Sequence, residues 1–388
     1  MKKLRYAMLL AVALALPSPA MAAEKPPIKL GFLSALTGVF SAYGKSQELM
    51  VKLAVEDVNA RGGVNGSKID MQYVDVQGDP GQAVLMFRKF AGDGVFAVIG
   101  PITGTQWETV SPLANRIGLP ALTATASKPG ITVRPWTIRL MPPDDLFIAD
   151  GFKDFMRTYP DVKRVVIVAD VREVSGKAGA EAYAKLAKEY GLEVIDTVEF
   201  STRATDLSPV AIKVKGLNPD AILSSALGPN ALMLAKEFTV QDIQAPVLAN
   251  ALIWPGPFVY TAGDNGKHWH TMGFTTVDKS TGDSELNKSV AKRFLEQADP
   301  AMGNPPNTAN WTLSYDAVLL YADIMRRNNI DGNTAPEKAR EIIKDEFMKL
   351  KKFSGIQAYT FRDTGDAYIP GRIMKINPET KMWKFASD

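Results

Sequence analysis

Cysteine is absent from this 388-residue chain. That excludes thiol catalysis, cysteine-bound metal and disulfide staples, so the fold must be held by its core alone. Histidine is nearly absent too: there are two, His268 and His270. They flank Trp269 and alternate onto one face of a strand, yet no Cys, Asp or Glu cluster completes a metal set, so neither metal nor cofactor is expected. A P-loop, a nucleophile-elbow serine and a paired set of carboxylates are all missing, which points away from an enzyme. The glycine-rich run from Gly92 to Ala97 follows a helix and precedes a strand. That is the reverse of a dinucleotide fingerprint, so it reads as a helix-to-strand turn.

A charge excess of one sign is also missing. The formal charge is +3, and Lys2, Lys3 and Arg5 account for all of it. Those three residues open a leader: a basic start, an apolar run from Ala7 to Leu16, and the small-residue pattern Ala20-Met21-Ala22. This is a secretory signal peptide over residues 1–22, and its apolar run is too short for a permanent membrane anchor. The remaining chain is near neutral and carries no case for nucleic acid. No other stretch is long and apolar enough to span a bilayer, so an exported, soluble protein is expected. Some 360 residues after the leader (about that many) suffice for two lobes of ordinary size.

What is present centres on Val95 to Ser127. Two short apolar runs, Val95–Ile99 and Leu119–Leu122, read as buried parallel strands. Each ends in small hydroxyl and glycine residues: Gly100, Thr103, Gly104 and Thr105 after the first, Thr123, Thr125 and Ser127 after the second. The carboxyl ends of such strands face the ligand crevice of an open α/β sheet. Hydroxyls and free N–H groups there, with the positive end of a helix dipole, suit a carboxylate. The competing reading makes them ordinary capping threonines.

Around that block the chain alternates. Pro27–Ser34 is a strand, Ser46 to Asn59 a helix, Ile69–Val76 a strand, and Asp79-Pro80 caps a helix to Ala91. Trp136–Leu140 leaves this first series. A second follows: a helix from Asp144/Asp145 to Thr158, strand Val162–Ala169, helix Lys177–Tyr190, strand Leu192–Phe200, helix Ser208–Leu217, strand Ala221–Ala226, helix Asn230–Thr239 and strand Pro246–Ile253. His270–Thr276 reads as a strand returning across the linker. Helices Glu285–Ala298, Trp311–Asn328 and Ala335–Lys349 come next, then a crossover and a hairpin turning at Asp363–Gly365. The fold class is α/β, with two doubly wound parallel-sheet lobes. The expected division is residues 27–141 with 275–355 for lobe one, and 142–274 with 356–388 for lobe two. Three crossings make a hinge, and two hinged lobes make a clamp. Trp107 and Trp311 read as packing residues.

The runs LGFLSALTG with AYG, AVEDVNARGGVNG, DPGQA, VIGPITGTQ, PALTATAS and FSGIQ…FRDTGD, in this order, resemble the periplasmic solute-binding proteins of ATP-driven (ABC) importers. The likeness is to the branched-chain amino acid (Leu/Ile/Val)-binding group and covers nearly the whole chain after the leader. It implies the type I periplasmic binding fold, with ligand between two lobes joined by three strands. It implies that Thr103, Gly104 and Thr105, with Thr125 and Ser127, take a ligand carboxylate, and that Tyr43 lies over the ligand. It also implies an inner-membrane ABC permease as partner, a periplasmic location and a monomer.

One departure stands out. The amino-acid binders of that group pair the ligand ammonium with an acidic residue of the second lobe. The matching positions here are Val174, Leu227 and Asn250-Ala251, and none is negative. An unpaired buried ammonium costs several kcal/mol. The expected ligand is therefore a small acid with an aromatic or branched apolar body, and Trp254 adds to that wall. Asp170 and Arg172 also follow a lobe-two strand. Arg172 can take a second ligand oxygen and Asp170 an ammonium, or both are solvated loop charges. The rival functions are an amino-acid binder of the same family, a ligand-sensing subunit of a membrane receptor, and an exported hydrolase.

Overall fold

The computed structural model describes residues 25–254, 258–277, 279–299 and 312–386. The expected leader at 1–22 and Trp311 lie outside the described residues. The first sheet has strands β1 (Ile28–Ser34), β2 (Ile69–Asp75), β3 (Ala97–Ile99), β4 (Ala121–Thr123) and β5 (Thr137–Arg139). All its pairings are parallel, in the order β2-β1-β3-β4-β5. Helices α1 (Ser41–Ala60), α2 (Pro80–Gly92) and α3 (Gly104–Ile117) connect them.

After α4 (Asp144–Thr158) a second sheet begins: β6 (Arg164–Asp170), α5 (Val174–Glu189), β7 (Glu193–Phe200), α6 (Ser208–Leu217), β8 (Ala221–Ser225), α7 (Gly228–Val240) and β9 (Val247–Ala249). The short helix α8 (Phe258–Thr261) precedes β10 (Trp269–Gly273). The parallel part runs β10-β9-β8-β6-β7, the same winding as the first sheet. Strand β6 reads RVVIVAD, and Val165, Val166, Ile167 and Val168 are all buried. Helices on both faces make such a strand apolar throughout; each side chain contributes about 1.5–3 kcal/mol by leaving water.

The chain then returns. Helices α9 (Ser284–Gln297), α10 (Thr312–Arg327) and α11 (Pro336–Lys349) follow. Both α9 and α10 pack on α1, and α11 packs on α10 and β5. Tyr321 donates to the Val98 carbonyl at 2.9 Å, and Arg340 to those of Val95 and Ala91 at 2.8 and 2.9 Å. A small antiparallel sheet, β11 (Lys352–Ser354), β12 (Ala358–Phe361) and β13 (Ala367–Tyr368), precedes β14 (Arg372–Ile376) and β15 (Trp383–Phe385). These last two join the second sheet antiparallel, beside β10. The chain thus passes between sheets three times.

Three local expectations need correction. Helix α1 starts at Ser41, five positions before Ser46 and through Gly44. Tyr43, Gly44, Ser46 and Gln47 are buried, and that packing outweighs the weak propensity of glycine. The 270–276 stretch is strand only as far as Gly273, the end of β10 in the second sheet, and the crossing that follows is not strand. His268 lies outside that strand against Gln244, while His270 is buried against Tyr159, so the two do not share a strand face.

The first and third crossings are tied by one buried ion pair. Arg139 Nε meets Asp366 Oδ1 at 2.7 Å, with the Arg139 side chain 0% exposed and that of Asp366 7%. Asp366→Ala leaves a buried guanidinium without its carboxylate. It should lower unfolding stability by about 3–5 kcal/mol, whereas Arg139→Met/Asp366→Leu should recover much of that loss. Urea denaturation checks both, and a cost below about 1 kcal/mol, the range of a surface pair, would contradict this account.

Candidate functional site

In a sheet wound as these are, the crevice opens where the strand order reverses, at the carboxyl ends of the first and third strands. Those are β1 and β3 in one lobe, β6 and β8 in the other. The two switch points face each other across a cavity of about 60 Å³. Phe40, Tyr43, Ile102, Thr103, Gly104, Thr125, Ser127 and Met141 line it from one side, and Glu173, Ser175, Leu227, Ala251 and Leu252 from the other.

The hydroxyls of the first lobe are already engaged. Thr103 is the N-cap of α3, its Oγ1 accepting from the Gln106 N–H at 3.2 Å, with the Gln106 side chain closing a capping box. Thr125 donates to the Ile102 carbonyl at 2.6 Å. Ser127 donates to Asp144 Oδ2 at 3.0 Å, and the Asp144 N–H returns to the Ser127 carbonyl at 2.8 Å. Thr105 does not line the cavity; its hydroxyl donates to Glu173 Oε2 at 3.0 Å, across the cleft. The capping reading therefore describes these side chains well. What they leave over is main chain: among the described residues, the N–H groups of Gly104 and Ser127 find no acceptor. One is an unpaired donor of the first turn of α3, where the helix dipole adds positive potential.

Tyr43 reaches the other way. Its Oη accepts from the Gly228 N–H at 3.0 Å and donates to the Leu252 carbonyl at 3.4 Å. Burial pushes the phenol well above its ordinary pKa, so it stays a donor.

On the second lobe the site differs from expectation. Val174 and Arg172 do not line the cavity; they border a separate depression with Lys128, Val171, Lys177, Ala178 and Glu181. Arg172 is exposed. The reason is local: Glu173 is the N-cap of α5, so residues 173 and 175 line the cavity while 172 and 174 do not. Asn250 caps the turn at 251–253, its amide bound to Ser225 Oγ at 2.8 Å and its Oδ1 to the Leu252 N–H at 3.3 Å. Its neighbours Ala251 and Leu252 do line the cavity, and so does Leu227. Asp170 is buried and spent on the Arg172 N–H and the Thr202 hydroxyl. Trp254 packs on Phe147 and Phe274 and is no part of the lining. Trp107 is a packing residue, fully buried with its indole N–H on Thr132.

Glu173 is the residue that was missed, and it overturns the premise that the second-lobe wall has no negative charge. Burial raises its pKa, opposed by the Ser175 N–H and the Thr105 hydroxyl. A glutamate spaced one residue from a serine, just after a strand end, was the available signal.

The wider comparisons agree with this architecture. Residues 27–381 match the profile of the periplasmic binding protein family, and the chain belongs to that family. A Leu/Ile/Val-binding protein homolog of Brucella melitensis is 25% identical over 348 residues, covering 88% of this chain and 89% of its own. The Leu/Ile/Val-binding protein BraC3 of Rhizobium johnstonii is 30% identical over 190 residues, 48% of this chain and 51% of its own. Among solved structures, the isoleucine complex of LivJ from Streptococcus pneumoniae superposes with a TM-score of 0.78 at 21% identity, covering 91% of this chain and 97% of that one. A benzoate complex of a solute-binding protein from R. palustris gives 0.79 at 16% identity, covering 93% and 95%. These likenesses establish the fold, a type I periplasmic binding fold.

Asp144 supplies a pH test. Burial holds its carboxyl up to about 7, against an ordinary 3.8. Between those values the folded chain holds a proton that the unfolded chain has released, so this group's contribution to stability falls as pH rises through 7. Asp144→Asn keeps an acceptor for Ser127 and removes the titration. Its stability relative to the parent should improve from pH 5 to pH 8 in chemical denaturation; a constant difference would refute the assignment.

Proposed function

We propose that the protein captures a small carboxylate with a compact apolar body in the interlobe cleft, in the periplasm, and presents it to an ABC-type permease of the inner membrane. The carrying observation is the cavity itself. Main-chain donors at Gly104 and Ser127 stand beside Phe40, Ile102, Met141, Leu227, Ala251 and Leu252. Such a site takes an anion by backbone N–H groups and buries the remainder against apolar wall. The two lobes move as bodies, residues 27–141 with 275–355 and 142–274 with 356–388, and the protein works as a monomer without a cofactor.

The shut cavity is small for a branched acyl body and for an aryl body alike. A cavity that takes benzene measures about 150 Å³, against about 60 Å³ here. Either body enters with the lobes set further apart. The benzoate bound by the R. palustris relative supports the acid reading in general terms.

Glu173 favours a second reading, a zwitterionic amino acid. A carboxylate accepts about four hydrogen bonds, and the Thr105 hydroxyl and the Ser175 N–H take two. The oxygens keep capacity for an ammonium. The names of the Brucella and Rhizobium relatives lean the same way.

Titration calorimetry with isovalerate, benzoate and leucine separates the readings. The first predicts tight binding of an acid without an amine; leucine binding at least tenfold tighter than isovalerate selects the second. Ser127→Pro, which removes the main-chain donor, should weaken the tightest ligand by about 1–3 kcal/mol, whereas Ser127→Ala, which keeps that N–H and loses only the tie to Asp144, should cost less. No binding of any of the three would reject both. Loss of uptake on gene deletion tests the transport role against a sensing one.

A further inference from the structure

We infer that Tyr43 and Glu173 are reciprocal caps: each lobe closes the cleft by placing one side chain on the N-terminus of the other lobe's switch-point helix. This rests on the proposed reading that the lobes move relative to each other.

Helix α3 of the first lobe and helix α7 of the second both begin with glycine, Gly104 and Gly228. Their first N–H groups have no partner within their own helix. From the second lobe, Glu173 takes the Thr105 hydroxyl at 3.0 Å, in the first turn of α3. The Thr105 N–H also draws down the Glu173 carboxyl against the effect of burial. From the first lobe, Tyr43 takes the Gly228 N–H at 3.0 Å, at the first residue of α7. A carboxylate against the positive end of a helix is a favourable charge–dipole contact. A hydroxyl serves the same purpose more weakly.

The two glycines are what permit this approach. A methyl group at Gly228 would stand 2.3 Å from the Tyr43 hydroxyl. At Gly104 it would stand 2.6 Å from Ser175 Oγ and 3.2 Å from Glu173 Oε1. Neither residue has a positive φ, so each glycine is required for space and not for backbone conformation. Two helices on opposite lobes share this combination: a first-turn glycine, a cap arriving from across the cleft, and a place in the cavity wall or directly beside it. When the lobes are shut, the chain's own Glu173 carboxylate thus stands at Thr105 in the first turn of α3, and the Gly104 N–H is left for a ligand. The ligand carboxylate then belongs nearer Ser127 than Thr105.

The absence of cysteine makes the test direct. Spin labels on Leu85→Cys in α2 and Val240→Cys in α7, both exposed, report the interlobe distance in ligand-free protein. Glu173→Ala, Thr105→Val and Gly228→Ala should each shift the population toward the longer distance. For Glu173→Ala the closed-to-open ratio should drop about tenfold or more, since a hydrogen bond to a charged group is lost. Glu173→Ala/Thr105→Val should go no further than Glu173→Ala alone, because the two share one bond. Far-UV circular dichroism checks folding; if Glu173→Ala unfolds, the near-isosteric Thr105→Val carries the comparison. An unchanged distance distribution in the folded variants, or full additivity of the double variant, overturns the inference. The measurement uses no ligand, so it fails or succeeds separately from the choice between acid and amino acid.

Discussion

Arg139 has no contact with water, and much of the site depends on how its charge is satisfied. A guanidinium moved into a protein interior faces a desolvation cost of several kcal/mol. Here Nε meets Asp366 at 2.7 Å, while Nη1 donates to the carbonyls of Ala126 and Lys128 at 3.2 and 2.6 Å. Three parts of the chain are therefore fixed by one side chain: the end of β5 where it leaves the first sheet, the turn between β12 and β13 that carries Asp366, and the loop carrying Thr125 and Ser127. The same charge lowers the raised carboxyl of Asp144, which in turn accepts from Ser127. Arg139 and Asp144 are coupled by charge and not by a hydrogen bond, and both hold the loop of the cavity wall, one through its carbonyls and one through Ser127. The loop that offers the Ser127 N–H is consequently held at the point where the lobes join, and domain closure need not deform it.

The second constraint is topological. Both parallel sheets follow the same winding, so each presents one gap between neighbouring helices at the carboxyl ends of its strands. Three crossings at one end of both sheets turn those gaps toward each other. Residues far apart in sequence, such as Ile102, Glu173 and Leu227, then meet because each follows a strand next to its own switch point. Helix starts at these places leave N–H groups unpaired. Two lobes meeting there can satisfy them with each other's side chains or, on the proposed reading, with a ligand.

The layers, the alternation and the first-lobe wall were legible because they rest on local signals. Apolar runs bounded by Thr/Gly turns marked β3 and β4, and the Thr103–Gln106 spacing is a capping box. Second-lobe contacts were less legible. Val174 is a position that matches the second-lobe contacts of the amino-acid binders, yet a helix N-cap turns 173 and 175 to the same side and 174 away. A shift of one residue at a helix start exchanges a valine for a glutamate and reverses an argument about charge. Asn250 and Asp170 failed for another reason. Both are polar residues at strand ends, and both are spent on local backbone and hydroxyl groups, a use that competes with ligand binding for Asn, Asp, Ser and Thr generally. The Arg139–Asp366 pair spans 227 positions, and no periodicity or turn rule reaches that far.

The engaged hydroxyls sharpen the view of how an anion is held. Thr103, Thr125 and Ser127 were expected to donate to a ligand, and each donates to or caps the protein instead. That does not empty the site of donors. A hydroxyl that caps a helix or ties down a loop immobilises the adjacent peptide, and a fixed N–H binds an anion with little further loss of conformational entropy. Thr103 stiffens the turn that presents Gly104, and the Asp144 contact stiffens the turn that presents Ser127. On the proposed reading the side chains supply the geometry and the main chain supplies the hydrogen bonds to the ligand. An anion site built in this way needs no lysine or arginine in its wall, and among the described lining residues there is none.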